Sequence, residues 1–338
     1  MRAGTERHFD EIAKGLARGT IVPFLGAGAN LCDRVTGESW RLGCGFLPSG
    51  AELAEHLADS GDYPVQDRRD LMQVAQWIAW REGVGGLYRL LREVFDRDYS
   101  PTSLHRWLAR EARALDAEGR RQLLVVTMNY DDLVERAFGE EGLACDVVWY
   151  EANPRGAGEF VHQPPDREPQ LIQRPTTYQG LPSTLERPVV LKLHGSVVRT
   201  DETHDSYVIT EDDYIDYLLR GDLRERLPIP LVDTLARSNL LFLGYSLSAD
   251  WDMRAFIKNQ FALSLRSWSV LRLASDPGRR DVEVQLWRSL ENTDLVPYEL
   301  RDYVQTLSAR EPDARRFYRD VAQRGSESGM ATPQSESP

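Results

Sequence analysis

The sequence predicts an α/β fold, a parallel sheet with helices on both faces and a helical insertion after the first strand. Short, wholly apolar runs such as "TIVPFL" and "LLVVTM" read as strands covered on both faces, because a half-exposed strand alternates apolar and polar residues. Between them lie stretches with apolar residues at helical spacing, and strands alternating with helices imply crossover connections. Several of the apolar runs stop abruptly on Gly, Asn, His or Ser, and ligands of such Rossmann-like sheets gather at the carboxyl ends of the strands.

The elements follow in order. A helix is expected over residues 7–18, stopped by Gly19, and "TIVPFL" follows as the first buried strand, with Pro23 favouring its early part or an irregularity. "GAGAN" then turns the chain toward a helix starting near Ala29. Residues 35–120 form the helical insertion: "DLMQVAQWIAW" and "LYRLLREVF" carry apolar residues at helical spacing, and "SPTSLHRWLAR" supplies a cap and a helix. Trp77 and Trp80, with Tyr214 and Tyr217 further on, are read chiefly as core aromatics. "LLVVTM", "CDVVWY" and "VVLKLHG" are strands, with a helix at "DDLVERAF" between the first two. Residues 151–187, rich in Pro, Gly and Gln, are expected to be an irregular excursion. "SYVIT" and "NLLFLGYS" read as strands, "EDDYIDYLL" and "LVDTLAR" as helices, the acidic run complementing a helix start. A helix at "DWDMRAFIKNQFAL", a strand at "SWSVLRL" and a final helix-strand-helix set complete one domain over residues 1–324, and 325–338 is a disordered tail.

Composition narrows the function. With 41% hydrophobic residues in 338, the chain has ample material for a core. A net charge of −12 argues against a general nucleic-acid coat, which needs a basic surface to displace counterions. The basic residues are nearly all arginine, the lysines being Lys14, Lys192 and Lys258. Cys32, Cys44 and Cys145 include no C-x-x-C pair, so neither a disulfide framework nor a cysteine zinc site is expected. The charged N-terminus lacks the apolar stretch of a signal peptide, and no apolar run has the length of a membrane span, so a cytoplasmic protein is expected.

The strand endings suggest the chemistry. "FLGAGAN" offers Gly26, Ala27, Gly28, Ala29 and Asn30; "VVTMNYDDL" offers Thr127, Asn129 and Asp131; "LKLHGS" offers His194 and Gly195; "LFLGYSLSADWD" offers Gly244, Tyr245, Ser246 and Asp250. Taken singly, each is ordinary: glycines make turns, Asn and Asp cap helices, and an isolated His is commonly structural. Four such endings at one edge of a sheet read as a site. The glycines then clear space for a phosphate, Asn129 holds a ribose hydroxyl or orients a water, and His194 accepts a proton, with Asp131 fixing geometry or charge nearby.

"GAGAN", "TMNYDDL", "LHGS" and "GYS", in this order, resemble the sirtuin superfamily, and most closely the sirtuin-like domains of bacterial antiphage defence systems. The resemblance covers residues 15–310. It implies that NAD is the substrate, with Gly26, Ala27, Gly28 and Ala29 on the pyrophosphate, Asn129 and Asp131 beside the nicotinamide ribose, His194 catalytic, and Gly244 and Ser246 on the adenosine side. Asn30 stands where deacylating sirtuins usually carry Ser.

Deacylating sirtuins hold a small domain around a zinc ion with four cysteines, which this chain cannot supply. Water is therefore the expected acceptor, and no metal is expected. The resemblance implies an NAD glycohydrolase releasing nicotinamide and ADP-ribose, a conditional effector that depletes NAD in antiphage defence. It also implies control by homo-oligomerisation or by a co-encoded partner such as an Argonaute-like protein, an ATPase or another sensor. The alternatives are an NAD or ADP-ribose sensor without turnover, an ADP-ribosyltransferase, or a deacylase.

Overall fold

The structure, a computed structural model, describes residues 2–152, 158–181, 185–247, 266–273, 276–290 and 292–316. Its strands are β1 (Ile21–Leu25), β2 (Leu124–Thr127), β3 (Asp146–Tyr150), β4 (Phe160–Gln163), β5 (Gln170–Leu171), β6 (Val189–Lys192), β7 (Gly195–Ser196), β8 (Ser206–Tyr207), β9 (Asn239–Leu243), β10 (Ser267–Leu271) and β11 (Thr293–Pro297). The main sheet runs β11-β10-β9-β1-β2-β6-β3-β4-β5, and β7 pairs with β8 apart from it. From β11 to β3 every pairing is parallel. The expected Rossmann-like α/β sheet is therefore present.

The described helices are α1 (Arg2–Arg18), α2 (Gly50–Ser60), α3 (Leu71–Phe95), α4 (Ser103–Ala117), α5 (Leu133–Glu140), α6 (Glu211–Leu219), α7 (Ile229–Arg237), α8 (Pro277–Arg288) and α9 (Leu300–Ser308). Apart from α2 and α3, they sort to the two sheet faces by the two-residue period of the strands. Leu25, Val125, Val190 and Leu241 share one core with Trp107 of α4, Phe138 of α5 and Val304 of α9. Phe24, Val126, Leu191 and Phe242 share the other with Tyr217 of α6, Leu231 of α7 and Trp287 of α8. This double cover is why the central strands are apolar along their whole length.

A third core belongs to the insertion. Leu57 of α2 and Ile78 and Leu91 of α3 pack with Tyr130, Leu133, Val197, Tyr207 and Ile209. Those partners lie in or beside the loops that leave β2 and β6, so the insertion sits over the carboxyl edge of the sheet. α3 bends at Gly83, whose φ of 76° lies outside the helical region. Gln76 of α3 and Asp212 of α6 exchange two hydrogen bonds, Gln76 Nε2 donating to Asp212 Oδ2 at 2.9 Å and Asp212 N to Gln76 Oε1 at 3.0 Å.

Several local expectations change. Pro23 lies mid-strand, paired with Leu241 of β9, while the ladder to β2 begins only at Phe24. A Pro with no N–H is tolerated there because it leaves no ladder donor missing. The helix expected near Ala29 is a single 3-10 turn, Ala27–Leu31. Residues 151–187 are not irregular throughout: β4 and β5 run antiparallel and extend the sheet edge beyond β3. "SYVIT" is strand only at β8, because Thr210 already caps α6, accepting from Asp213 N. Trp80 is 70% exposed rather than core, whereas Tyr217 is buried. The helix expected at "DWDMRAFIKNQFAL", Asp250 and the 325–338 tail lie outside the described residues.

Candidate functional site

The chain leaves β1 for β2 on one side and returns through β9 on the other, so a topological switch point falls at the carboxyl ends of β1 and β9. Two turns meet there. Gly26 N donates to Leu243 O at 3.1 Å and Gly28 N to Gly244 O at 2.9 Å. A Cβ on Gly26 or on Gly28 would stand 2.7 or 2.6 Å from Gly244 O, and one on Gly244 would stand 2.5 Å from Ala29 N. Gly244 also has a φ of +68°, in the left-handed region. The room these glycines free is thus filled first by the chain itself, one backbone against the other. Ala29 is wholly buried, and Ala27 is the exposed residue of the turn.

The β2 ending hangs on the β1 turn through amides. Asn30 Nδ2 donates to Asp131 Oδ2 at 2.7 Å; Asn129 Nδ2 donates to Gly26 O at 3.2 Å and approaches Asn30 Oδ1 at 3.5 Å. The Asn30 amide nitrogen donates to Asp131, which fixes which way that amide faces, and Asn30 then presents oxygen to the Asn129 amide nitrogen. Asp131 Oδ1 also accepts from Leu133 N at 3.1 Å, where α5 begins. Thr127 Oγ1 accepts from Asn129 N at 3.0 Å and donates to Leu25 O at 3.4 Å. Thr127, Asn30 and Asp131 are buried, and Asn129 is half-buried.

β6 lies beside β2, with Thr127 opposite Lys192. Beyond that pair Leu193 N donates to Thr127 O at 3.0 Å, and His194 follows in the turn that leads into β7. His194 is 4% exposed; its ring meets Tyr214 and Tyr217 of α6 edge-on, at centroid distances of 5.3 and 5.6 Å. Its Nε2 is buried and has no hydrogen-bond partner among the described residues. Burial lowers its pKa from 6.5 to about 3, so the ring is a neutral imidazole at ordinary pH. Gly195 follows with a φ of +95°, and a Cβ on it would lie 2.1 Å from Ser206 O across the β7–β8 pair.

The remaining predicted residues are placed differently. The Tyr245 ring turns into the core, against Phe24 at 5.8 Å and Phe242 at 6.4 Å. Ser246 Oγ donates to Glu283 Oε2 at 3.0 Å, and the same carboxylate accepts from Leu247 N at 2.9 Å and Trp287 Nε1 at 2.9 Å. Glu283, on α8, thereby fastens the β9 turn, and no local pattern in the sequence marks it. Thr102, at the start of α4, donates from Oγ1 to Ala29 O at 3.2 Å. The buried His105 ring, its pKa lowered from 6.5 to about 4 by burial, stands 2.9 Å from that hydroxyl. Lys192 had a readable signal, a lysine inside an otherwise apolar strand.

The arrangement thus puts a neutral imidazole and an oriented amide in the segments that leave two adjacent strands, with a glycine-lined turn one strand further on. Among the described residues no group of three or more His, Cys, Asp or Glu side chains is arranged to hold a metal ion, and no helix is long and apolar enough to cross a membrane. A family model described as a SIR2-like domain matches residues 123–295, which include the β2, β6 and β9 endings. No curated protein matches the chain.

Proposed function

The chain belongs to the SIR2-like family, and on that premise we propose that it is an NAD glycohydrolase cleaving the nicotinamide–ribose bond to give nicotinamide and ADP-ribose. The observation that carries this reading is the neutral His194 Nε2, without a partner among the described residues, in the segment that leaves β6 next to the strand whose ending carries Asn129. A buried polar atom left without a partner costs stability, a cost that a bound ligand or an ordered water relieves.

Nicotinamide in NAD carries a positive charge and leaves as a neutral molecule, so no acid is needed to protonate it. Positive charge develops on the ribose, and acceptor atoms fixed beforehand stabilise it without reorganising. Asn129 suits that role, because its Nδ2 is engaged by Gly26 O and Asn30 Oδ1, which leaves Oδ1 as the acceptor facing the other way. His194, neutral, polarises a ribose hydroxyl or the attacking water. Asp131 orients the amides, and the exposed side of the turn at Ala27 is the proposed contact for the pyrophosphate. Gly244 and Ser246 are the proposed approach to the adenosine side through the backbone of the β9 turn, since Gly244 packs on the Gly28 turn and the Ser246 hydroxyl is held by Glu283.

Water is the proposed acceptor because the chain has three cysteines, too few for the zinc module of deacylating relatives. A freely running NAD hydrolase harms its own cell, so we propose conditional activity, in antiphage defence, under control of self-assembly or a co-encoded partner. Incubation with NAD labelled in the ADP-ribose moiety tests the reading. Free labelled ADP-ribose supports it, label on macromolecule replaces it with a transferase, and intact NAD at high protein concentration with the co-encoded partner supplied replaces it with a binding module.

A further inference from the structure

Lys192 is 1% exposed, in a strand whose other residues are Val189, Val190 and Leu191. Its ammonium uses all its donors: Nζ reaches Asp131 O at 2.6 Å, Ser196 Oγ at 3.0 Å and Glu135 Oε1 at 2.7 Å. Asp131 belongs to the loop that carries Asn129. Ser196 follows His194 by two residues, and Lys192 precedes it by two. The same two segments are also joined by main-chain bonds, Leu193 N to Thr127 O at 3.0 Å and Val197 N to Tyr130 O at 2.9 Å. The cation is thus a bracket between the segment that carries the imidazole and the segment that carries the amide.

We infer that Lys192 is a positioning residue for NAD cleavage, holding the Asn129 and His194 segments at a fixed spacing through one ammonium group; this rests on the glycohydrolase reading above. Stability is a poor reason for the cation to be there. A buried ion pair seldom improves on well-packed apolar side chains, and apolar neighbours already fill the strand. What an apolar residue cannot do is tie a main-chain carbonyl of one loop to a hydroxyl of the other. Glu135 supplies the countercharge from α5 that lets the ammonium be buried.

The test is the full chain carrying K192M together with E135Q, which removes the cation and its countercharge at once. Tm, KM for NAD and kcat are measured beside wild type. The expected result is a folded protein with KM little changed and kcat lowered by about ten- to a hundredfold, the penalty for small misplacement of reacting groups. Should the double variant fail to fold, Ser196→Ala takes its place, removing one acceptor and no charge; kcat is then expected to fall by roughly three- to tenfold at unchanged KM, as one hydrogen bond is lost. A folded variant with kcat equal to wild type overturns the inference while the glycohydrolase reading stands. Wild-type protein that fails to cleave NAD even when concentrated for self-assembly and mixed with its co-encoded partner overturns both.

Discussion

Asn30 Nδ2 donates to Asp131 Oδ2 at 2.7 Å, across 101 residues of chain, and joins the β1 turn to the β2 loop. The bond gives a direction to the amides that follow it, because Asp131 accepts, Asn30 passes its oxygen on, and Asn129 turns its own oxygen away from both. Asp131→Asn removes that direction by adding a donor where only an acceptor fits. The expected outcome is a drop in kcat for NAD of roughly ten- to a hundredfold, with a stability cost of about 1–3 kcal/mol for the mispaired buried group. Steady-state kinetics and urea unfolding check the two parts.

Asn129→Ala removes the proposed acceptor without disturbing a core. Asn129 is half-buried and outside the hydrophobic clusters, so the fold should be retained with a loss of about 1 kcal/mol or less. NAD cleavage should fall by about a hundredfold or more, on the scale of losing one preorganised group at a charged transition state. Product formation by chromatography against a melting curve separates the two effects.

Acid should destabilise the fold through its buried histidines. Burial lowers the pKa of His194 from 6.5 to about 3, and those of His105 and His8 from 6.5 to about 4. In the unfolded chain each takes up a proton near 6.5. Below that value the unfolded state binds more protons than the folded one, so stability is full above it and is lost progressively as pH falls toward 4. Tm should therefore decline between pH 7 and 5 by the ordinary linkage relation, and His105→Gln should make the decline shallower. A Tm independent of pH over that range would contradict the buried neutral state. The kcat/KM profile should likewise show no His194 limb near 6.5, because the folded group does not titrate there.

Gly195→Ala should be among the most damaging single changes away from the cores. The residue has a φ of +95°, and the new Cβ would lie 2.1 Å from Ser206 O. Strain of this kind costs on the order of 1–3 kcal/mol before the clash is counted. Thermal unfolding should show the loss, and His194, one residue earlier, should lose activity with it.

The strand core was legible because a sheet covered on both faces leaves runs like "LLVVTM" that no surface segment tolerates. The strand endings were legible for the same reason: Asn129 and His194 stand out only against the apolar residues before them. What was not legible depends on contacts far apart in the chain. Nothing near Gly26 says that Gly244 will fill the space its missing Cβ frees, and nothing near Ser246 points to Glu283. Residues 151–187 misled through composition, since β4 and β5 are held by pairing to the edge at β3 rather than by their own propensity.

His194 is the neutral group proposed at the scissile bond, and the most direct measurement of that role is a time course of NAD loss by wild-type protein beside His194→Ala, with both shown to be folded by their melting curves. Wild type is expected to release nicotinamide and ADP-ribose in equal amounts while His194→Ala releases neither. Cleavage by folded His194→Ala at the wild-type rate would contradict the role given to the imidazole.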